Sequence, residues 1–265
     1  MINKPPLGSQ INWAHPLARG LVACWLMNEG SGNMVQDYTL NQIRGIMTAT
    51  CLWTGSPDGC ATDFGTITST TEYISITDPR IINLPETKNI SVIISNKPNY
   101  TNNYDGRSIC CLSWSGTDDL IIYPNGDTTL GRRIFWRDCG GNVISVASFN
   151  ALDVWQVMAF TATIGEQKLY VNGSLIGTGA NTLAGAGPFA AFNIGAYGED
   201  ARQNFGGSIG YVYLYDRPLS ATEVNDLYVS PYAMFEQAPY WMWYQEAAGS
   251  NIPVFMHHYQ HNLGR

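Results

Sequence analysis

The chain has 265 residues, of which 45% are apolar, 12% aromatic and 13% charged, and its formal net charge is −7. The apolar content suffices for a packed core, while a charge content about half the usual quarter speaks against a coiled coil or a disordered tail. Fourteen scattered Lys and Arg, densest at Arg132-Arg133, make no basic footprint, so nucleic acid is not an expected partner.

From the beginning, Met1-Ile2-Asn3-Lys4-Pro5-Pro6-Leu7 lacks the apolar core of a signal peptide, and no run approaches the length needed to cross a bilayer. The expectation is a chain that folds in a cytosol, does not insert into a membrane, and keeps its cysteines reduced. Those six, Cys24, Cys51, Cys60, Cys110, Cys111 and Cys139, show no zinc spacing. Buried thiols acting as small hydrophobes are the favoured reading, with a Cys51–Cys60 bridge across Gly55-Ser56-Pro57-Asp58-Gly59 left open.

Short β-like runs follow one another, each punctuated by Gly, Pro, Asn or Asp. Residues 21–26 read as a buried strand stopped by Asn28-Glu29-Gly30-Ser31-Gly32. Further strands are expected over 73–76, 90–94, 109–114, 120–123, 133–136, 143–147 and 155–163. Such spacing without long helical periods predicts an antiparallel β-sandwich. Asn172-Gly173, between Lys168-Leu169-Tyr170-Val171 and Ser174-Leu175-Ile176, predicts a type I′ hairpin because both turn residues tolerate positive φ. A strand over 208–215 comes next. Ser220-Ala221-Thr222-Glu223 then forms a capping box, and Val224, Leu227 and Tyr228 give one apolar face to a short helix over 220–229 that Pro231 stops.

Composition shifts after Pro231. The sequence divides into a sandwich over 1–230 and an aromatic C-terminal arm over 231–265, where Pro239 and Pro253 disfavour one long helix. The arm carries Phe235, Tyr240, Trp241, Trp243, Tyr244, Phe255 and Tyr259. So many aromatics left in water would be a liability, so these seven are expected to cover the chain's own sandwich or a neighbouring subunit in assembly.

Gly20-Leu21-Val22-Ala23-Cys24-Trp25-Leu26-Met27-Asn28-Glu29-Gly30-Ser31-Gly32 resembles the opening strand and turn of laminin-G-like domains of the concanavalin A-like jelly-roll type. Trp53 through Phe64, the pair Trp155-Gln156-Val157-Met158-Ala159-Phe160-Thr161 and Leu169-Tyr170-Val171-Asn172-Gly173, and the closing Phe205-Gly206-Gly207-Ser208-Ile209-Gly210-Tyr211-Val212 are similar to later segments of that family. The helix Leu219-Ser220-Ala221-Thr222-Glu223-Val224 is similar too, so the resemblance runs in order over about residues 17–230. It implies an all-β jelly-roll sandwich of two antiparallel sheets. Two departures stand out. Ser95 lies where many members carry Trp, and Leu40 and Gln42 lie where small glycines are usual. Many relatives bind calcium near this loop, and the resemblance nominates Asp37 and Asn41 as ligands; an Asx turn at Asp37 is the competing reading, and no cofactor is otherwise required.

Concanavalin A-like folds include glucanases, whose retaining chemistry needs two carboxylates about 5 Å apart on one strand face. No Glu-x-Asp-x-Glu run and no Gly-x-Ser-x-Gly elbow occurs, so no catalytic residue is nominated. His257, His258 and His261 lack the Glu of a zinc-protease helix and read as polar contacts of the arm. For glycans, which need a flat aromatic beside polar groups, the candidates are Tyr100, Tyr104, Trp114, Asp118, Asp119 and Tyr197; the competing reading makes Trp114 core and the rest ordinary loops.

With its aromatic ending the chain resembles laminin-G-containing structural proteins of tailed bacteriophages. That resemblance implies a non-catalytic head-decoration or tail-associated subunit, assembled in the host cytoplasm and displayed on the virion surface. Its partners would be itself or other virion proteins through the arm, and cell-surface glycans through the sandwich. A free carbohydrate-binding module and a glycoside hydrolase are the alternatives.

Overall fold

A computed structural model describes residues 3–48, 50–65, 72–82, 89–99, 153–180, 189–196 and 205–235, with the strands at 110–114, 119–125, 133–137 and 143–147. The chain forms a compact unit over Met1–Phe235 and a separate unit over Glu236–Arg265. Arm residues Tyr240, Trp241, Trp243, Tyr244, Phe255 and Tyr259 and the three arm histidines lie outside the described residues.

The described strands run β1 Leu21–Trp25, β2 Met34–Val35, β3 Gly45–Met47, β4 Leu52–Ser56, β5 Gly59–Asp63, β6 Ile74–Ile76, β7 Ile90–Pro98 and β8 Cys110–Trp114. They continue with β9 Asp119–Asn125, β10 Arg133–Arg137, β11 Val143–Ala147, β12 Gln156–Thr163, β13 Glu166–Val171, β14 Ser174–Gly179, β15 Phe189–Ile194 and β16 Gly207–Tyr215. The short 3-10 helix Pro16–Ala18 and helices α1 (Pro79–Ile82) and α2 (Ala221–Val229) complete the described set. Two eight-stranded sheets result. The first has the order β14-β13-β12-β7-β16-β5-β4, with β1 also paired to β16; the second has the order β11-β10-β9-β8-β15-β6-β3-β2. The pairings are antiparallel, as expected for the concanavalin A-like sandwich.

Between the sheets lies one apolar cluster. Trp25, Val92, Phe160 and Val212 enter from the first sheet and Ile74, Ile144, Phe192 and Ile194 from the second, with Phe64 and Phe205 beside them. Trp25 and Phe192 span the layers with ring centroids 5.6 Å apart. Truncating a buried aromatic of this size costs about 3–5 kcal/mol.

A second apolar cluster covers the outer face of the first sheet. Cys24, Leu26, Ile93, Ala159, Tyr170, Tyr211, Tyr213 and Tyr215 supply its floor. Ile11 and Leu17 cover it from the N-terminal segment, and Leu219, Val224, Leu227, Tyr232, Met234 and Phe235 cover it from the C-terminal one. Strand β16 is therefore buried along nearly its whole length, and β1 throughout. That burial explains why β1 reads as an unbroken apolar run instead of an alternating one. The covering segments are fastened by polar contacts. Asn12 N donates to Met234 O at 2.8 Å, Tyr215 Oη to Leu17 O at 2.9 Å, and Tyr213 Oη to Pro231 O at 3.0 Å. The Lys4 ammonium donates to Gly210 O at 2.6 Å and to Cys60 O. Burial pulls Lys4 down to about 8, with Asp58 opposing the shift.

Local signals translate as the sequence indicates. Asn172 and Gly173 both have positive φ and turn β13 into β14. The capping box forms, with Ser220 Oγ accepting from Glu223 N at 3.2 Å and Glu223 accepting from Ser220 N at 2.9 Å. Two expectations need correction, and one alternative left open is closed. Tyr228 is 41% exposed, so the buried face of α2 is Val224 and Leu227 alone. Cys51 and Cys60 are unbridged, because Cys60 pairs across the hairpin with Gly55. Phe235, assigned to the arm, is buried with its ring 5.7 Å from Tyr38 and 6.5 Å from Tyr232, so the sandwich extends to Phe235. Ser95 is buried on β7; a Cβ added at Gly210 would sit 3.1 Å from its Oγ and 3.2 Å from the Trp155 ring. An indole from residue 155 thus fills space close to that position.

A chain ending at Phe235 should unfold cooperatively in urea. One ending at Ser230 loses Tyr232, Met234 and Phe235 and should be less stable by at least ~5 kcal/mol, since each buried large side chain contributes roughly 2–5 kcal/mol. Equal midpoints for the two chains would contradict the second core.

Candidate ligand-binding site

The turn between β2 and β3 is organised by one carboxylate. Asp37 follows the edge strand β2 and faces inward, where β1 passes behind it. Its Oδ1 accepts from Cys24 N and Thr39 N, both at 2.9 Å. Its Oδ2 accepts from Thr39 Oγ1 at 2.6 Å and Ile43 N at 2.9 Å. Burial pushes the Asp37 carboxyl above the usual carboxylate range, while these four donors pull the other way. Asn41 Nδ2 donates to Val22 O at 2.8 Å, and the Trp25 indole donates to Ile43 O at 2.7 Å. Asp37 and Asn41 thus tie the turn to β1 in the Asx-turn manner. A calcium ion held by Asp37 would have to displace amide donors already seated on both oxygens.

Over this anchored turn opens a pocket of ≈ 270 Å³ lined by Met34, Gln36, Asp37, Gln42 and Arg44. All but Asp37 are exposed. Gln42 holds φ 53°, the left-handed region that glycine adopts freely. Arg80, from α1, steadies the rim: its guanidinium donates to Asn41 O and pairs with Asp78 at 2.6 Å. No described residue hydrogen-bonds or ion-pairs with the side chains of Gln36, Gln42 or Arg44. Next to the pocket, Met34 and its cross-strand partner Ile46 are 38% and 47% exposed. Sequence reading missed this pocket; its one signal was Leu40 and Gln42 in a turn where relatives carry glycine.

Of the nominated glycan residues, Tyr100, Tyr104, Asp118 and Tyr197 lie outside the described residues. Trp114 and Asp119 are placed as backbone. Trp114 ends β8 opposite Phe189, and Asp119 opens β9 opposite Ser113.

Several carboxylates are engaged internally. Asp58 accepts from Ser56 Oγ at 2.6 Å and from Tyr232 Oη, Glu223 pairs with Arg217 at 2.6 Å, and Glu29 Oε1 accepts from Gln36 N at 2.8 Å. Among the described residues no three His, Cys, Asp or Glu side chains group as metal ligands, and no helix is long and apolar enough to cross a membrane. The structural role of Asp37 is directly measurable. Asp37→Ala should lower unfolding stability by roughly 3 kcal/mol, because it strands buried N–H donors that each lose an acceptor. A change below ~0.5 kcal/mol would show that the turn does not depend on it.

Comparison with known proteins places this geometry. Residues 68–225 match the Concanavalin A-like lectin/glucanases superfamily. Among solved structures the chain is similar to domain 4 of AbnA, a GH43 extracellular arabinanase from Geobacillus stearothermophilus, solved in complex with arabinotriose. There the TM-score is 0.59 at 19% identity, over 78% of this chain and 97% of that one. The binding domain of Paraclostridial Mosquitocidal Protein 1 gives 0.61 at 14%, over 82% and 53%, and a Trypanosoma rangeli sialidase gives 0.60 at 14%, over 85% and 36%. The chain thus spans nearly the whole arabinanase domain but about half and a third of the other two. No curated protein matches it in sequence. A two-sheet sandwich with a family match across more than half its length settles the lineage: this chain belongs to the Concanavalin A-like lectin/glucanases superfamily.

Proposed function

We propose that this chain is a non-catalytic glycan-binding sandwich, carried as an accessory subunit on the surface of a virion. The observation that supports glycan binding best is the likeness to a single arabinanase domain, covered over 97% of its length and solved with arabinotriose. A whole domain of this shape can hold a saccharide without the rest of an enzyme. The non-catalytic reading draws support from the carboxylates. Asp37, Asp58 and Glu223 are each tied to internal donors, whereas a glycosidase needs two carboxylates free to act on one bond. In this reading no metal is required, and the turn where relatives place calcium is held by protein donors instead.

The virion role rests on the aromatic C-terminal arm. Seven Trp, Tyr and Phe, from Phe235 to Tyr259, were assigned to it, and one of them, Phe235, is absorbed by the sandwich. Tyr240, Trp241, Trp243, Tyr244, Phe255 and Tyr259 remain for contacts with another copy or with other virion proteins. A glycan array combined with size-exclusion chromatography tests both halves. Glycan capture by an oligomer that reverts to monomer when residues 236–265 are removed is the expected result. Capture by a full-length monomer would favour a free carbohydrate-binding module, and turnover of a polysaccharide would restore the hydrolase.

A further inference from the structure

We propose that the pocket over the β2–β3 turn binds a carboxylate-bearing sugar residue, with Arg44 as its anion-binding group. The proposal deepens the glycan-binding reading above and rests on it. It starts from an imbalance of donors and acceptors. A site for neutral sugars commonly uses a free Asp or Asn oxygen to accept hydroxyl protons. Here the one carboxylate among the described residues lining the pocket, Asp37, already accepts four internal hydrogen bonds. What lines the opening instead is a guanidinium and two primary amides, from Arg44, Gln36 and Gln42, none engaged by another described residue. Arg brings five N–H donors and each Gln two, against one acceptor oxygen per Gln. A ligand rich in acceptors complements that excess, and a planar carboxylate fits the guanidinium fork with two parallel hydrogen bonds.

The remaining surroundings agree with an anionic sugar. The Asp37 charge sits in the floor among its own donors, with Arg80 near enough to interact with it. Asp78 is paired with Arg80, and Glu29 has one oxygen on the backbone N–H of Gln36. Among the described residues, Arg44 is thus the charge at the mouth without a partner. Met34 and Ile46, side by side across β2 and β3, supply an exposed apolar shelf against which the C–H face of a sugar ring can lie. A volume of ≈ 270 Å³ suits one ring more than a chain of them, so an end or a branch of a larger glycan is the expected epitope.

The test is an array carrying galacturonate, glucuronate and sialate oligosaccharides beside their carboxyl-reduced counterparts and neutral arabinose, glucose and galactose oligosaccharides. It is read with the full-length protein, Arg44→Gln and Gln36→Ala. At least one carboxylate glycan should be captured, its reduced counterpart at least 10-fold more weakly, and Arg44→Gln should lose at least 10-fold with an unchanged melting temperature. Gln36→Ala should weaken the same glycan without changing the preference for its acid form. Capture of acid glycans that Arg44→Gln leaves intact overturns the pocket while keeping the glycan-binding reading. Capture of neutral glycans alone overturns the acid preference in the same way. No capture of any glycan overturns both.

Discussion

Burial of one sheet on both faces is the constraint that shapes this molecule. Strands β7, β16 and β1 carry apolar side chains toward the inter-sheet core and a second apolar set outward, where Tyr211, Tyr213 and Tyr215 line one face of β16. A sheet like that cannot face water. It recruits the N-terminal segment and the turns after α2 as a second roof, and those segments become part of the domain even though they lie at its sequence edges. The stacked pair Tyr211–Tyr213, with centroids 4.8 Å apart, and the edge contact of Tyr232 on Tyr211 show how closely the roof fits.

Sealing that sheet has a consequence for recognition. With the outer face of one layer closed, binding in the proposed reading falls to the rim turns and to the free edge of the other layer. There the β2–β3 turn hangs on Asp37, which trades exposure to ligands for a fixed backbone. In the proposed reading the groups that meet a ligand are the pocket-lining neighbours of this carboxylate, Gln36, Gln42 and Arg44, not the carboxylate itself. Residue identity alone points at Asp37 as the chemically interesting member of the loop, whereas its hydrogen bonds show it to be the scaffold.

The fold was legible because its signals are local. Asn172-Gly173 dictates a hairpin by backbone conformation, Ser220 and Glu223 cap a helix reciprocally, and β-branched runs between turn residues mark β7, β11 and β12. The short edge strands β2 and β3 carry too little pattern to be read, and their place is set by pairing, β2 with β3 and β3 with β6. The boundary at Phe235 was misread for a related reason. Tyr232, Met234 and Phe235 look like the start of an aromatic tail, and only the far-off partners Ile11, Tyr38 and Tyr211 make them core. Tyr228 was misread in the opposite sense, since helical spacing alone does not say how wide the covered face is. The candidate site was least legible. Its members come from an edge strand and a turn, and what matters about Arg44 is that no described residue pairs with it, which no spacing reveals.

Spectrophotometric titration of the tyrosines tests the doubly buried sheet most directly. Burial raises the phenols of Tyr211, Tyr213, Tyr215 and Tyr232 well above the ordinary value of about 10, and Asp58 adds to the shift at Tyr211 and Tyr232. Above pH 10 the unfolded chain therefore releases protons that the folded one keeps, so folding stability falls as pH rises. Of the fifteen tyrosines, this set should stay protonated until the sandwich opens, ionising in a second stage that coincides with loss of the β circular-dichroism signal. Ionisation of all fifteen in one stage near pH 10, with that signal intact, would show the outer face of the sheet open to water and contradict the account.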